Sequence, residues 1–395
     1  MAGHTASGAV RAGRALVGTA ALTLTVFTSL TAAPAGSGTG GAPADSGSLR
    51  GSEWALTALK AEQAWKTSKG RGVTVAVIGT GVDASHPDLK GRVLKGADVG
   101  DGSTVDGRRD QGAAQVQGTH QAGIIAGTGR NYRGDGLHGL APQAHILPFR
   151  VFRNDKALTA ATARAIMNAA RQGAQVIDVT VSSPQPSDDL RTAVEYAAQQ
   201  GALVVAGAGD TGRTGNEASY PAAFPQVLSV AATDKKGSVW PGSHHGKDVD
   251  LAAPGVDILT TARNDGYWTG SGTGYAAGWV AASAALLRAE HPKWTVSQVT
   301  RELTRTATHH KSAAWDPRYG FGIVASAAAL ADHRSPPAAS GKPANQAVAA
   351  SDRTAYHSSD TGPTMVVAAV MGALIVLAVP AWFLIRRSVT PSDDD

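Results

Sequence analysis

VTVAVIGTGVDASHPDL, running from Val73 to Leu89, decides the architecture of this chain. Its first six residues, Val73 to Ile78, form a largely apolar run without the polar alternation of a sheet wetted on one side. Such a run predicts a strand in a parallel sheet covered on both faces. Outward from it, strands are predicted over His145 to Val151, Gln175 to Val181, Leu203 to Ala206 and Val227 to Ala231. Helices alternate with them. One begins in the small-residue stretch Thr119 to Thr128, Thr159 to Gln172 stops at Gly173, and Asp188 to Gln200 stops at Gly201. A long Ala-rich helix, Thr273 to Glu290, ends at His291-Pro292. Strand and helix alternating this often, with no internal repeat, imply an α/β sandwich with right-handed crossovers. In such folds function gathers beyond the carboxyl ends of the strands. Gly79 follows the first strand, Asp210 lies just past the fourth, and Gln117 and Gly274 fall at or near helix starts. These positions are expected to converge in one cleft, where helix N-termini add a positive field.

Composition supports this reading and excludes others. A chain of 395 residues, 43% hydrophobic and 17% charged, has ample apolar material for one large domain or two small ones. Its 47 glycines suit the tight turns of an α/β scaffold. The net charge of +5 comes from scattered basic residues, which gives nucleic-acid binding little support. With no cysteine, disulfides, thiol catalysis and cysteine-held metals are ruled out.

The ends carry targeting signals. Arg11 and Arg14 precede an apolar run from Ala15 to Leu30 and the small residues Thr31-Ala32-Ala33-Pro34-Ala35, which together describe a secretory signal peptide over 1–35. A short linker, 36–48, leads into the body, 49–333. A Ser/Pro/Ala-rich tether follows over 334–363. Met365 to Ile385 carries no charge, long enough for a bilayer core of about 30 Å, and a transmembrane helix is expected over 364–386. Arg386 and Arg387 place the tail, 387–395, in the cytoplasm. The expected location is therefore the cell membrane, single-pass, with the main domain extracytoplasmic.

Further motifs connect these elements to a family. QGTHQAGIIAG spans Gln117 to Gly127 and SGTGYAAGWVAASAALL spans Ser271 to Leu287. With VIGTG they resemble the subtilase motifs V-I-D-T-G, H-G-T-H and G-T-S-x-A-A-P. His138-Gly139-Leu140-Ala141-Pro142 is similar to the G-x-A-P turn, Gly173-Ala174-Gln175-Val176-Ile177 to G-A-D-V-I, Ala252-Ala253-Pro254-Gly255 to the A-P-G loop, and Tyr319-Gly320-Phe321-Gly322 to the closing Y-G-x-G. The resemblance runs from Trp54 to Leu330 and implies a subtilisin-like three-layer sandwich with a mainly parallel sheet. The layout of signal, body, tether and span resembles the mycosins, subtilases that accompany type VII secretion. Glu53-Trp54-Ala55-Leu56 and Ala64-Trp65-Lys66 fit that branch. The implied partners are the membrane, the type VII secretion membrane complex and an extended peptide.

Carried over residue by residue, the resemblance names four degenerate slots. Gly79 stands where the family has the Asp that orients the imidazole, Gln117 where it has the general-base His, and Gly274 where it has the nucleophilic Ser. Gly207-Ala208-Gly209-Asp210 matches A-A-G-N, so Asp210 stands in the place of the oxyanion Asn. Gly274 offers no attacking oxygen, and Gln117 takes up no proton near neutral pH. An ionised Asp210 would repel a developing oxyanion by about 4 kcal/mol at about 4 Å and an effective dielectric near 20. In subtilisin, loss of the Ser or His costs about 10⁶ in kcat, and loss of the oxyanion Asn a further ~10²–10³. No meaningful peptide hydrolysis by the standard route is expected.

An active serine endopeptidase would require relocated residues. The cleft candidates are His120, Ser271, Ser182 and Gly207, with Asp83 and Ser283 further off. His120 matches the second His of H-G-T-H, and His86 and Asp88 match a family turn, so all three read as structural. His244-His245 and His309-His310 lack ligand-spaced partners and read as solvated loop residues. No cofactor or metal is indicated. Calcium is frequent in subtilases, and Asp98 to Asp110 is the stretch that would suit it. Trp279, where the family has His, is expected to fill or reshape the cleft floor.

Overall fold

The structure, a computed structural model, describes residues 49–111, 117–308 and 314–331. The signal peptide, the linker, the tether, the expected span at 364–386, the tail and the His309-His310 pair lie outside those residues. Among the described residues no helix is long and apolar enough to cross a membrane.

Three short helical turns, α1 (Leu49–Ser52), α2 (Trp54–Ala58) and α3 (Ala61–Ala64), lead into β1 (Thr74–Gly79). β2 (Ala97–Asp98), α4 (Gln117–Ala126) and β3 (His145–Arg150) follow, then a small antiparallel ribbon of β4 (Phe152–Arg153) and β5 (Lys156–Ala157). Next come α5 (Thr159–Arg171), β6 (Val176–Val179), α6 (Asp188–Gln199), β7 (Leu203–Gly207), β8 (Val227–Thr233) and β9 (Leu251–Pro254). A hairpin of β10 (Ile258–Thr261) and β11 (Tyr267–Gly270) precedes α7 (Thr273–Glu290), α8 (Val296–Arg305) and α9 (Ser326–Ala331).

Seven strands form one sheet in the order β2-β3-β1-β6-β7-β8-β9, and every pair is parallel. The uninterrupted apolar character of β1 follows directly. Val75 and Val77 join the core that holds α4 and α7, while Ala76 and Ile78 join the core under α5 and α6. Successive side chains point to opposite faces, and here each face has a helical layer to meet. The result is the expected three-layer α/β sandwich.

The expected elements recur with boundaries shifted by one or two residues, and α7 spans the expected residues. Three features differ. Ala252 to Pro254, read as a loop, is strand β9, completing the sheet edge next to β8. The β10–β11 hairpin was not expected, nor was α8, whose start is fixed by a capping box between Thr295 and Gln298.

Candidate active-site cleft

The parallel topology brings the carboxyl ends of β1 and β7 against the first turns of α4 and α7. Gly79 closes β1, and a Cβ built there would stand 3.8 Å from the Gly118 nitrogen. Gly118 donates to the Thr80 hydroxyl at 3.0 Å. A Cβ at Gly118 would fall 1.9 Å from the Gly81 carbonyl oxygen, so only glycine lets the helix start press on this turn. Gln117 is therefore held beside Gly79. At β7, a Cβ on Gly207 would lie 2.8 Å from the Gly274 nitrogen, which puts the strand end against the start of α7. Gln121 completes the circuit, its side-chain amide donating to the Gly274 carbonyl at 2.8 Å. These contacts bring Gly79, Gln117, Gly207 and Gly274 together at one end of the sheet.

Each slot has its own chemistry. A Cβ on Gly274 would meet nothing closer than Gln121 Nε2 at 3.7 Å, an ordinary contact, so a Cβ fits there without displacing a neighbour. A Cβ on Gly79 would stand 2.4 Å from the Thr180 hydroxyl, which is turned back to donate to the Ile78 carbonyl at 2.9 Å. Asp210 does not face an oxyanion. Its Oδ1 accepts from the Thr273 backbone N–H at 2.9 Å and the Thr273 hydroxyl at 2.8 Å. It satisfies the first turn of α7, where Gly272 supplies no side-chain cap. Burial raises the Asp210 carboxyl above its ordinary range, against the lowering effect of those two bonds.

The relocation candidates are not brought together. His120 is buried and stacked against Trp268, with ring centroids 5.9 Å apart, and against Tyr275 at 6.0 Å. Burial, with the nearby Arg263, pushes its imidazole down to about 4, so it is neutral at pH 7. Ser271 is exposed on the neighbouring loop, and its hydroxyl accepts the Asp257 N–H at 2.9 Å. No hydrogen bond joins it to His120. Ser182 is exposed beside a backbone pairing of Ser183 with Tyr220. Asp83 is occupied by Ser85 and the Asn264 N–H, and Ser283 is buried against Ser326 at 2.7 Å.

Other expectations resolve plainly. His86 and Asp88 are fully buried and structural. Trp279 is not on the cleft floor: it is buried in the core, bordering a small space lined by Glu53, His138 and Ile258. His244 is not solvated, being buried with Nε2 3.1 Å from Asp248. Asp98 and Asp101 are turned onto Arg150 at 3.1 and 2.5 Å, and Asp110 accepts from the Thr119 N–H and hydroxyl. Gln121 and Tyr275 were missed as cleft residues. A signal existed for both: Gln121 is one helical turn beyond Gln117, and Tyr275 directly follows Gly274.

A parallel sheet between two helical layers, with the carboxyl ends of β1 and β7 meeting two helix N-termini, defines a subtilisin-like α/β fold. The chain belongs to the subtilase family, whose model matches residues 70–322. Thermitase of Thermoactinomyces vulgaris is 39% identical over 233 residues, covering 59% of this chain and 80% of its own length. Among solved structures, the serine protease MycP1, an essential component of the type VII (ESX-1) secretion system, aligns with a TM-score of 0.61 at 30% identity, covering 70% of this chain and 88% of that chain. The MycP3 protease from the type VII (ESX-3) secretion system aligns with a TM-score of 0.58 at 31% identity, covering 70% and 87%. The structural neighbours therefore include mycosins of type VII secretion systems.

Proposed function

We propose that this chain is a proteolytically silent subtilase, anchored outside the cytoplasmic membrane, that works by binding as a scaffold component of a type VII secretion membrane complex. One observation carries the reading: glycine, glutamine and glycine stand at the three converging slots, in a sheet and helix framework that is otherwise complete. The Ser271 hydroxyl is engaged by the Asp257 N–H, and the hydroxyl that does reach the His120 ring, that of Tyr275 at 3.4 Å from Nδ1, is pushed up to about 12 by burial and is a poor nucleophile near neutral pH. Peptide binding is a separate property. An extended segment pairs through its main chain, which needs strand edges and not a triad. The segment at Ser182, an exposed residue, is the edge this reading assigns to it. Membrane attachment rests on the apolar run Met365 to Ile385 and its basic flank.

The test is co-purification of the full chain from native membranes. Type VII membrane components should accompany it in fixed proportion. Recovery of lipid and chaperones alone would remove the scaffold reading.

A further inference from the structure

The loop Arg130 to Asp135 is built in a way that catalysis and folding leave unexplained. Tyr132 and Arg133 are consecutive non-glycine residues in the left-handed region, with φ of 47° and 62°. Such a residue is strained and persists only where the surroundings over-determine it. Here the surroundings do. Asp88, fully buried, accepts the Asn131 N–H at 2.8 Å, the Leu137 N–H at 2.9 Å and the Tyr267 hydroxyl at 2.6 Å. The Asn131 side chain donates to the same Tyr267 hydroxyl at 3.0 Å. A Cβ on Gly136 would fall 2.2 Å from Asp88 Oδ1, so the return of the loop passes as close as glycine permits. Two elements, the loop and the β10–β11 hairpin, are thereby fastened to one carboxylate.

This clamp displays a side chain that the fold does not need. Tyr132 is 57% exposed, with its ring 5.9 Å from that of Tyr267. Cations lie in the same loop and beside it. Arg130 and Arg133 flank it in the loop, and Arg130 reaches the backbone carbonyl of Lys90. Arg92 stands near enough to Arg130 and Arg71 for their repulsion to add to burial in lowering its guanidinium. None of Lys90, Arg92, Arg130 or Arg133 forms an ion pair among the described residues. One exposed carboxylate, Asp135, closes the loop.

We infer that the Asp88-clamped loop is a docking surface for an acidic segment of a partner protein, with Tyr132 as its anchor and Arg92, Arg130 and Arg133 as its charge complement. Tyr and Arg are the side chains that dominate binding hot spots, and holding them rigid removes part of the ordering cost of association. Unpaired like charges are unfavourable in the free protein and find their compensation in an anionic partner. An anionic lipid surface also attracts arginines, but it has no fixed shape for a rigid, strained loop to match. The inference rests on the scaffold reading and names the face that the partner meets.

Site-specific replacement of Tyr132 by p-benzoylphenylalanine in the full chain, in native membranes, tests it. Ultraviolet light should join position 132 to a partner peptide rich in Asp and Glu, identified by mass spectrometry. The yield should fall about tenfold when Arg92→Glu and Arg130→Glu are added. The same probe at Val105, which is 96% exposed, should capture nothing comparable. Circular dichroism melting of the charge-reversed chain should fall no lower than the parent, since neither arginine is ion-paired among the described residues and the reversal relieves the repulsion around Arg92. Partner co-purification without a cross-link at position 132, or a cross-link indifferent to charge reversal, would overturn the docking surface and leave the scaffold reading standing. Charge-dependent binding of the purified full chain to phosphatidylglycerol vesicles, with no protein cross-link, would overturn it in favour of lipid. Absence of any co-purifying partner would defeat the scaffold reading itself.

Discussion

At position 79, restoring a carboxylate means displacing the Thr180 hydroxyl, which stands 2.4 Å from where the new Cβ must go. Gly79→Asp alone should therefore cost about 1–3 kcal/mol, the usual range for overpacking a buried site. Thr180→Ala removes the clash, because the Thr180 Cβ itself lies at a permissible 3.6 Å. Thermal melts of the single and double variants check this: the second substitution should recover most of the loss. Two further residues set a pH dependence. Burial holds the Glu53 carboxyl up at about 7, with the His138 N–H and Arg50 opposing it. Burial alone holds Asp178 at about 8, and neither of its oxygens has a hydrogen-bond partner. Both values lie above those of the unfolded chain, so the folded protein keeps protons that the unfolded chain has shed. The contribution of these two carboxyls is full near pH 4 and is lost as pH rises through 7 to 8, while His120, held down at about 4, opposes them only below about pH 6.5. Melting temperature followed from about pH 6.5, where His120 no longer contributes, to mildly alkaline pH should fall. Glu53→Gln should remove on the order of 3 kcal/mol of that fall, and Asp178→Asn should flatten its upper part. A profile that rises over the same window would contradict both assignments.

Among the elements, α7 shows how Asp210 serves the start of a helix. Its first turn is satisfied by Asp210, through the Thr273 N–H and hydroxyl. Asp210→Ala should destabilise the protein by about 1 kcal/mol, the ordinary worth of a helix cap. Asp210→Asn keeps an acceptor oxygen and should melt close to the parent. The limits of α7 were legible in the sequence because Gly272 and His291-Pro292 punctuate both ends. β1 was legible because its apolar run has no alternation. α8 was not, although Thr295 and Gln298 form a capping box that a search for helix starts would find. β9 was hidden by resemblance: Ala252-Ala253-Pro254 was matched to a loop, and Pro254 tolerates the strand because it ends an edge strand. The β10–β11 hairpin turns through Asn264 and Asp265, both in the left-handed region. That Asn-Asp pair is a turn signal in its own right.

For the whole molecule, the topology brings the motif residues near one another at one end of the sheet. Sequence resemblance placed Gly79, Gln117, Asp210 and Gly274 in one site, and strand order brings them there. Side-chain direction was beyond the motifs. The turn of Asp210 toward Thr273, the stacking of His120 between Trp268 and Tyr275, and the withdrawal of Trp279 toward Glu53 and His138 depend on contacts between distant segments. The most direct test is an active-site fluorophosphonate probe, applied to the purified full chain beside a variant carrying Gly79→Asp, Thr180→Ala, Gln117→His, Asp210→Asn and Gly274→Ser. A silent cleft predicts covalent labelling of the restored variant and none of the natural chain. Labelling of the natural chain that disappears on Ser271→Ala would contradict it.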